Sequence, residues 1–301
     1  YYWKKGRTMV EVAIAFFLLL VNSAVHGLHV VFAGPSAVEV QLIAAKLALG
    51  SGADDTRCTL IRPSGDGEIR QCLSLMYGRD VAADYFGDGG EKPDDREADL
   101  LLPDFASSGE SIGAALSTAD SIVIACEEQG VDESYVETLL SNSPKVEKVA
   151  LLSRHGGKLR SLEESLRRKC DGLNRDVAFS VVRAGTLVGG GPGPDSDAQG
   201  EEWGLSKYYY DTKYDLQDAQ ITQAMDKFTL GARVVAGDPH RAPNFFSRMM
   251  AGSSFESRDG DTGRIAAAHA LLAALRRDDK GGVDISISTD KAEKPLSFDE
   301  W

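Results

Sequence analysis

The stretch Leu28–Gly50, LHVVFAGPSAVEVQLIAAKLALG, decides how the rest of the chain is read. Four apolar residues, Val30, Val31, Phe32 and Ala33, run into Gly34, and Val40, Ile43, Ala44 and Leu47 then recur at helical spacing. That is the pattern of a buried strand, a tight turn and a helix. A helix that begins directly after a strand turns its first unpaired N–H groups towards the connection. A phosphate placed there gains hydrogen bonds and the favourable end of the helix dipole. Gly34, Pro35, Ser36, Ala37 and Val38 therefore form a candidate nucleotide cradle.

Against the dinucleotide spacing G-x-x-G-x-x-G, Gly34 holds the first position, Ala37 the second and Val40 the third. Ala37 admits a pyrophosphate at some cost, and Val40 changes helix–strand packing more than any ligand contact. The next apolar run, Cys58–Arg62 (CTLIR), reads as a second strand ending in Arg62. At this place in a dinucleotide fold an acid bonds the ribose 2′-OH, whereas an arginine accommodates a 2′-phosphate. Arg62 thus points to NADP(H); the plainer alternative is a solvated arginine at a strand end.

Further strands are expected at Leu100–Asp104, Ser121–Cys126, Val149–Ser153 and Phe179–Arg183, with helices at Gly109–Leu116, Ser134–Ser141 and Leu159–Arg168 between them. Six alternations of strand and helix predict an α/β fold, a Rossmann-type doubly wound parallel sheet with helices on both faces. Residues 28–188 form the main domain on this reading. Residues 66–99, acidic and glycine-rich from Asp84 onwards after a helical piece (Ile69, Leu73, Met76), read as a surface insertion. Residues 189–260 read as a small C-terminal lobe for substrate or partner, including a helical stretch from Leu205 to Phe228. Residues 261–290 supply an apolar helix (Thr262–Leu275) and an alternating strand (Val283–Ser288) that return to the sheet.

With 301 residues the chain is long enough for one large α/β domain and its annex. A net charge of −13 excludes a counterion-release nucleic-acid binder, which needs a basic face. Lys4, Lys5 and Arg7 precede the apolar run Val12–Val21, and small residues follow up to Gly27. Segment 1–27 reads as a secretory-type signal cleaved near Gly27, too short for a comfortable membrane span, with a signal-anchor as the alternative. The closing SFDEW (Ser297–Trp301) reads as an interrupted end. Cys58, Cys72, Cys126 and Cys170 are widely scattered with no C-x-x-C, which favours buried free thiols over disulfides or zinc. Free thiols fit a signal that opens a longer route, into an algal-type plastid, better than an oxidising lumen. No metal-ligand spacing is present.

The order of these pieces, together with Val181–Gly193 (VVRAGTLVGGGPG) after the sixth strand, resembles an atypical or extended short-chain dehydrogenase/reductase of the NmrA-like kind. The resemblance covers nearly everything after residue 28. It implies an acid near the adenine at Asp104, with Phe105 beside it, and the strand behind the ribose ending at Ala125 and Cys126. It also implies an active-site serine at Ser153 and cofactor contacts from Ala184, Gly185 and Thr186. Catalytic members of that family use a tyrosine with a lysine one turn later on the helix after the fifth strand. Here that helix has no tyrosine, and none occurs from Val136 to Lys207. The match Tyr209–Lys213 (YYDTK) to Y-x-x-x-K lies in the wrong element.

Two readings follow. In the first, the chain is an NADP(H)-dependent regulatory, assembly or scaffold module that meets a protein partner through its C-terminal lobe. In the second it is an NADPH-dependent reductase of a small or isoprenoid-like carbonyl, with Ser153, His155, Lys158 or a water as acid.

Overall fold

The computed structural model describes residues 28–50, 56–87, 101–126, 131–157, 159–173, 175–191, 204–215, 218–220, 226, 232–238, 261–277 and 281–289. Residues 1–27, where a targeting signal was expected, Lys158, the acidic run 88–99 and most of residues 189–260 lie outside the described residues.

The strand and turn of the opening stretch are β1 (His29–Ala33) and the connection through Gly34 to helix α1 (Val38–Gly50). There follow β2 (Arg57–Ile61), α2 (Asp66–Tyr77), α3 (Arg79–Tyr85), β3 (Asp104–Ala106), α4 (Gly109–Thr118), β4 (Ser121–Ala125) and α5 (Glu133–Ser141). The second half contains β5 (Lys148–Arg154), α6 (Arg160–Asp171), β6 (Ala178–Ala184), β7 (Leu187–Val188), α7 (Tyr208–Lys213), β8 (Ala232–Ala236), β9 (Thr262–Gly263), α8 (Arg264–Arg276) and β10 (Asp284–Thr289). Eight strands form one sheet in the order β3-β2-β1-β4-β5-β6-β10-β8, parallel except for β8, which runs against β10. β7 and β9 form a separate two-stranded pair.

The chain is therefore a Rossmann-like α/β protein. β1 lies between β2 and β4, so the crossovers leaving β1 and β3 go to opposite sides of the sheet. That reversal opens a crevice beyond the strand ends where ligands of such sheets sit. One face packs on α1, α2 and α8, through residues such as Val40, Ile43, Met76, Ala267 and Leu271. The other face packs on α4, α5 and α6, through Leu116, Val136, Leu139, Leu162 and Leu166. With helices on both sides, β1 and β4 are buried along their whole length, which is why they read as continuous apolar runs.

Three local readings change. Helix α1, expected to bury one face, also buries Gln41, Leu42, Ala45, Ala48 and Leu49. It packs on the sheet with α8 alongside it on the same face, and Ala266, Ala267 and Ala268 of α8 carry little bulk and let the two helices approach. The third strand starts at Asp104 instead of ending there; Pro103 lacks an N–H for the ladder, so the strand forms after it, and Leu101 is exposed. The start of the expected insertion is integral structure. Residues 66–85 form α2 and α3, which bury Ile69, Leu73 and Ala82 in a cluster of their own.

The connection from β1 to α1 is held by contact between main chains. Gly34 has φ +121°, and a Cβ there would lie 2.3 Å from the carbonyl oxygen of Ala125 at the end of β4. Gly34→Ala should therefore both strain the backbone and push β1 from β4. We expect a loss of about 2–4 kcal/mol in urea unfolding, against less than about 1 kcal/mol for Gly50→Ala, where a Cβ meets nothing within 4 Å.

Candidate functional site

The crevice at the ends of β1, β2 and β4 brings together the turn Gly34–Val38, Arg62, Ala125 and Cys126. Ala37, at the second position of the glycine spacing, adopts φ 52°, a conformation that favours glycine. The turn thus keeps a glycine-like path with an alanine in it. Its polar groups are tied from two sides. Gln41 of α1 donates its side-chain amide to the carbonyl oxygens of Gly34 (3.2 Å) and Ser36 (2.9 Å). The Gly34 amide donates to the hydroxyl of Tyr135 on α5 at 3.2 Å. Burial pushes the Tyr135 phenol up, so it stays a neutral partner.

Arg62 is where the sequence reading put it, immediately after β2, but the residue is only 1% exposed. Its guanidinium donates to the carbonyl of Ile61 (2.7 Å) and to Oε1 of Gln41 (3.0 Å). Its Nε has no hydrogen-bond partner among the described residues, and the carboxylate of Glu68 lies 3.8 Å from it. A guanidinium has five N–H donors, and removing it from water is costly unless anions and acceptors compensate. Here two neutral oxygens, the neutral Cys72 thiol and one loosely placed, partly exposed acid do so. This cation is under-satisfied and stands beside the cradle.

In the first turn of α1, burial disfavours the Glu39 carboxylate, but its own backbone hydrogen bond and Lys213 hold its pKa below the ordinary value. Lys213 pairs with it at 3.0 Å, offsetting a charge that would otherwise repel an anion at the helix start. The Tyr209–Lys213 match is divided accordingly. Lys213 serves Glu39, while the buried Tyr209 hydroxyl meets Tyr214 (3.1 Å) and the carbonyl of Gly189 (3.4 Å). Burial pushes the Tyr209 phenol far up, the reverse of what proton transfer near neutrality requires.

Asp104, expected near the adenine, lies at the opposite end of its strand and pairs on the surface with Arg57 at 2.5 Å. Phe105 follows it and packs, half-buried, between α2 and α3. Ala125 and Cys126 do lie at the end of β4, fully buried, and burial pushes the Cys126 thiol up to about 11. It is an inert thiol at neutral pH.

Ser153 is 0% exposed, and its hydroxyl donates to Glu163 of α6 at 2.5 Å. Glu163 accepts from Arg183 of β6 (2.7 Å), and Arg183 also pairs with Asp284 of β10. Burial works against the Arg183 charge, but these two acids more than restore it and raise its pKa. The arrangement stitches β5, α6, β6 and β10 together. Ser153 is thereby committed to a carboxylate, and His155 to the carbonyl of Arg183 at 3.0 Å. Ala184 is buried in the sheet, the Gly185 amide donates to Thr262 (2.9 Å), and the Thr186 carbonyl accepts from the Thr262 amide (2.8 Å). These residues anchor β7 to β9.

Among the glycines that follow, a Cβ on Gly191 would lie 2.3 Å from the Tyr210 ring. The Gly191 amide donates to Asp226 (3.2 Å), and the Tyr210 hydroxyl does so at 2.5 Å. That glycine makes room for a tyrosine. Among the described residues no group of His, Cys, Asp and Glu is placed to hold a metal ion. No helix there is long and apolar enough to cross a membrane.

Gln41, Tyr135 and Glu163 were not anticipated. Gln41 and Glu163 had a signal: each is a polar residue within the apolar stripe of its helix. Tyr135 had none, because only tertiary contact brings α5 to the turn.

Two stability tests follow. Glu163→Ala leaves Arg183 buried with half its partners and should cost about 3–5 kcal/mol, whereas Ser153→Ala, losing one hydrogen bond, should cost about 1 kcal/mol; denaturant unfolding separates them. Burial raises the Asp226 carboxyl from 3.8 to about 6 in the folded chain. Its contribution is therefore fully present below pH 3.8, is lost as pH rises through about 6, and stays lost above. The stability of Asp226→Asn relative to the parent should rise across that window by on the order of 3 kcal/mol and then level off. A pH-independent difference would contradict the assignment.

Compared with known proteins, the chain matches no protein-family model, and no curated protein is similar to it.

Proposed function

We propose that this chain is a dinucleotide-binding module that takes NADP(H) across the Gly34–Val38 turn and acts as a regulatory, assembly or scaffold protein. The observation that carries the reading is Arg62. A buried guanidinium with an unused donor, at the end of β2 and linked to the turn through Gln41, is suited to receive a 2′-phosphate in place of its present neutral partners. The pyrophosphate would lie over Gly34–Val38, against the first amides of α1. When bound, the cofactor would supply a hydride, and reduction of a carbonyl would further need one proton from a side chain or water.

The residues favour binding over turnover. Ser153 is engaged by Glu163, and Tyr209 is buried with a raised pKa. Of the candidate acids for the reductase alternative, Ser153 donates to Glu163 and His155 meets the Arg183 carbonyl, which favours the non-catalytic role of the two.

A thermal-shift titration tests it. NADPH should raise the melting temperature in a saturable way and NADH should do so more weakly. Arg62→Lys, which keeps a charge but loses the bidentate fork, should weaken NADPH by about tenfold and leave NADH nearly unchanged. Equal effects on the two nucleotides, or no shift with either at millimolar concentration, would overturn the assignment. If NADPH binds and is consumed with an aldehyde or quinone panel, the non-catalytic role fails and the reductase reading takes its place.

A further inference from the structure

Two of the cradle's donors are taken by side chains of the chain itself. At the end of β2, Oε1 of Gln41 accepts from Nη2 of Arg62 at 3.0 Å. At the end of β1, the hydroxyl of Tyr135 accepts from the N–H of Gly34, the first of the turn, at 3.2 Å. Gln41 comes from α1 and Tyr135 from α5, so each helical layer sends one side chain to the turn. Gln41 is fully buried. Burial keeps the Tyr135 phenol protonated, and Arg62 acts on it electrostatically across the same space.

Gln41 is chemically two-sided. Its amide nitrogen donates to the carbonyl oxygens of Gly34 and Ser36, which leaves its oxygen facing Arg62. A carboxylate in its place would face those two carbonyls, and an apolar side chain would leave them and Arg62 without a partner. An amide oxygen is a weak acceptor for a guanidinium compared with a phosphate, because bonds between charged groups are the stronger ones. A 2′-phosphate therefore displaces it, whereas a 2′-hydroxyl, neutral like the amide, gains nothing by doing so. The Arg62–Gln41 contact is thus a threshold that separates the two nucleotides. The Tyr135 hydroxyl stands on the turn itself, at the pyrophosphate side, which NADPH and NADH share.

We propose that Gln41 determines cofactor preference and Tyr135 the affinity common to both nucleotides, each as an internal stand-in for a phosphate oxygen that the nucleotide displaces. The inference rests on the dinucleotide reading of the turn. It goes further in giving both residues a role opposed to binding: they stabilise the turn and hold its affinity for nucleotide down.

Isothermal titration of the full chain with NADPH and with NADH, alongside melting curves recorded without nucleotide, tests the proposal. Tyr135→Phe, which keeps the ring, should tighten both nucleotides by about fivefold while lowering the melting temperature by about 2–4 °C. Gln41→Met, close in volume, should raise the ratio of the NADH Kd to the NADPH Kd by about fivefold and also lower the melting temperature. Gln41→Glu, which gives Arg62 a charged internal partner, should abolish the preference for NADPH; it carries the test alone if Gln41→Met does not melt cooperatively. A residue that only braces the turn would lose stability and affinity together, so movement of the two in opposite directions is the signature. The proposal is overturned if Tyr135→Phe weakens both nucleotides or leaves them unchanged. It is equally overturned if the ratio does not rise in a folded Gln41→Met, or if Gln41→Glu keeps the parent's preference; the dinucleotide reading then stands without it. If neither the parent nor Tyr135→Phe binds either nucleotide at millimolar concentration, that reading fails and this inference with it.

Discussion

Where β1 ends, backbone lies against backbone. The absence of a side chain at Gly34 lets the turn rest on the carbonyl of Ala125, and this contact sets how closely β1 and β4 can finish side by side. From there α1 is laid across the sheet and flanked on the same face by α8, so that it is buried on nearly every side. The opposite layer of α4, α5 and α6 closes the other face. The crevice is what remains where these two layers diverge. Its chemistry is decided by the few polar groups that the same packing forces to its edge.

Two arginines show how differently a buried cation can be treated in one fold. Arg183 is enclosed by Glu163 and Asp284, with Ser153 on the same carboxylate. Its charge is matched and its geometry is complete, as a structural cross-link between strands and helix should be. Arg62 is buried as deeply but holds the Ile61 carbonyl and a glutamine, with a single acid at the margin of ion-pair distance. Neutral oxygens are poor compensation for a desolvated guanidinium. Gln41 links that incomplete site to the turn, since one end of its amide meets Arg62 and the other meets Gly34 and Ser36. An anion that drew Arg62 away would release the same glutamine that braces the turn.

The strands and most helices were legible because burial on both faces leaves long apolar runs, and the helices between them carry an apolar repeat. Arg62 could be placed at the end of β2 by the same route. What its side chain does could not, because Gln41 and Glu68 reach it from elements 21 residues upstream and six residues downstream that only the fold brings into contact. Asp104 was misplaced by one strand length because the apolar run of leucines before Pro103 looks like a strand in sequence, while the ladder forms only after the proline, over Asp104–Ala106. The helical piece at the start of segment 66–99 was legible from Ile69, Leu73 and Met76 but was counted with a surface insertion; it is integral to the fold because α2 and α3 pair with each other. The run of glycines near residue 190 was read as a ligand-lobe entrance. At Gly191 it is explained by the ring of Tyr210, a contact with no local signature.

The central claim concerns one guanidinium, and a crystal structure of the chain grown with NADPH tests it most directly. The account predicts the 2′-phosphate within hydrogen-bond distance of Arg62, the Arg62–Gln41 bond exchanged for it, and the pyrophosphate over Gly34–Val38. A structure in which the nucleotide is absent or lies elsewhere, with Arg62 still bonded to Gln41 and Ile61, would contradict it.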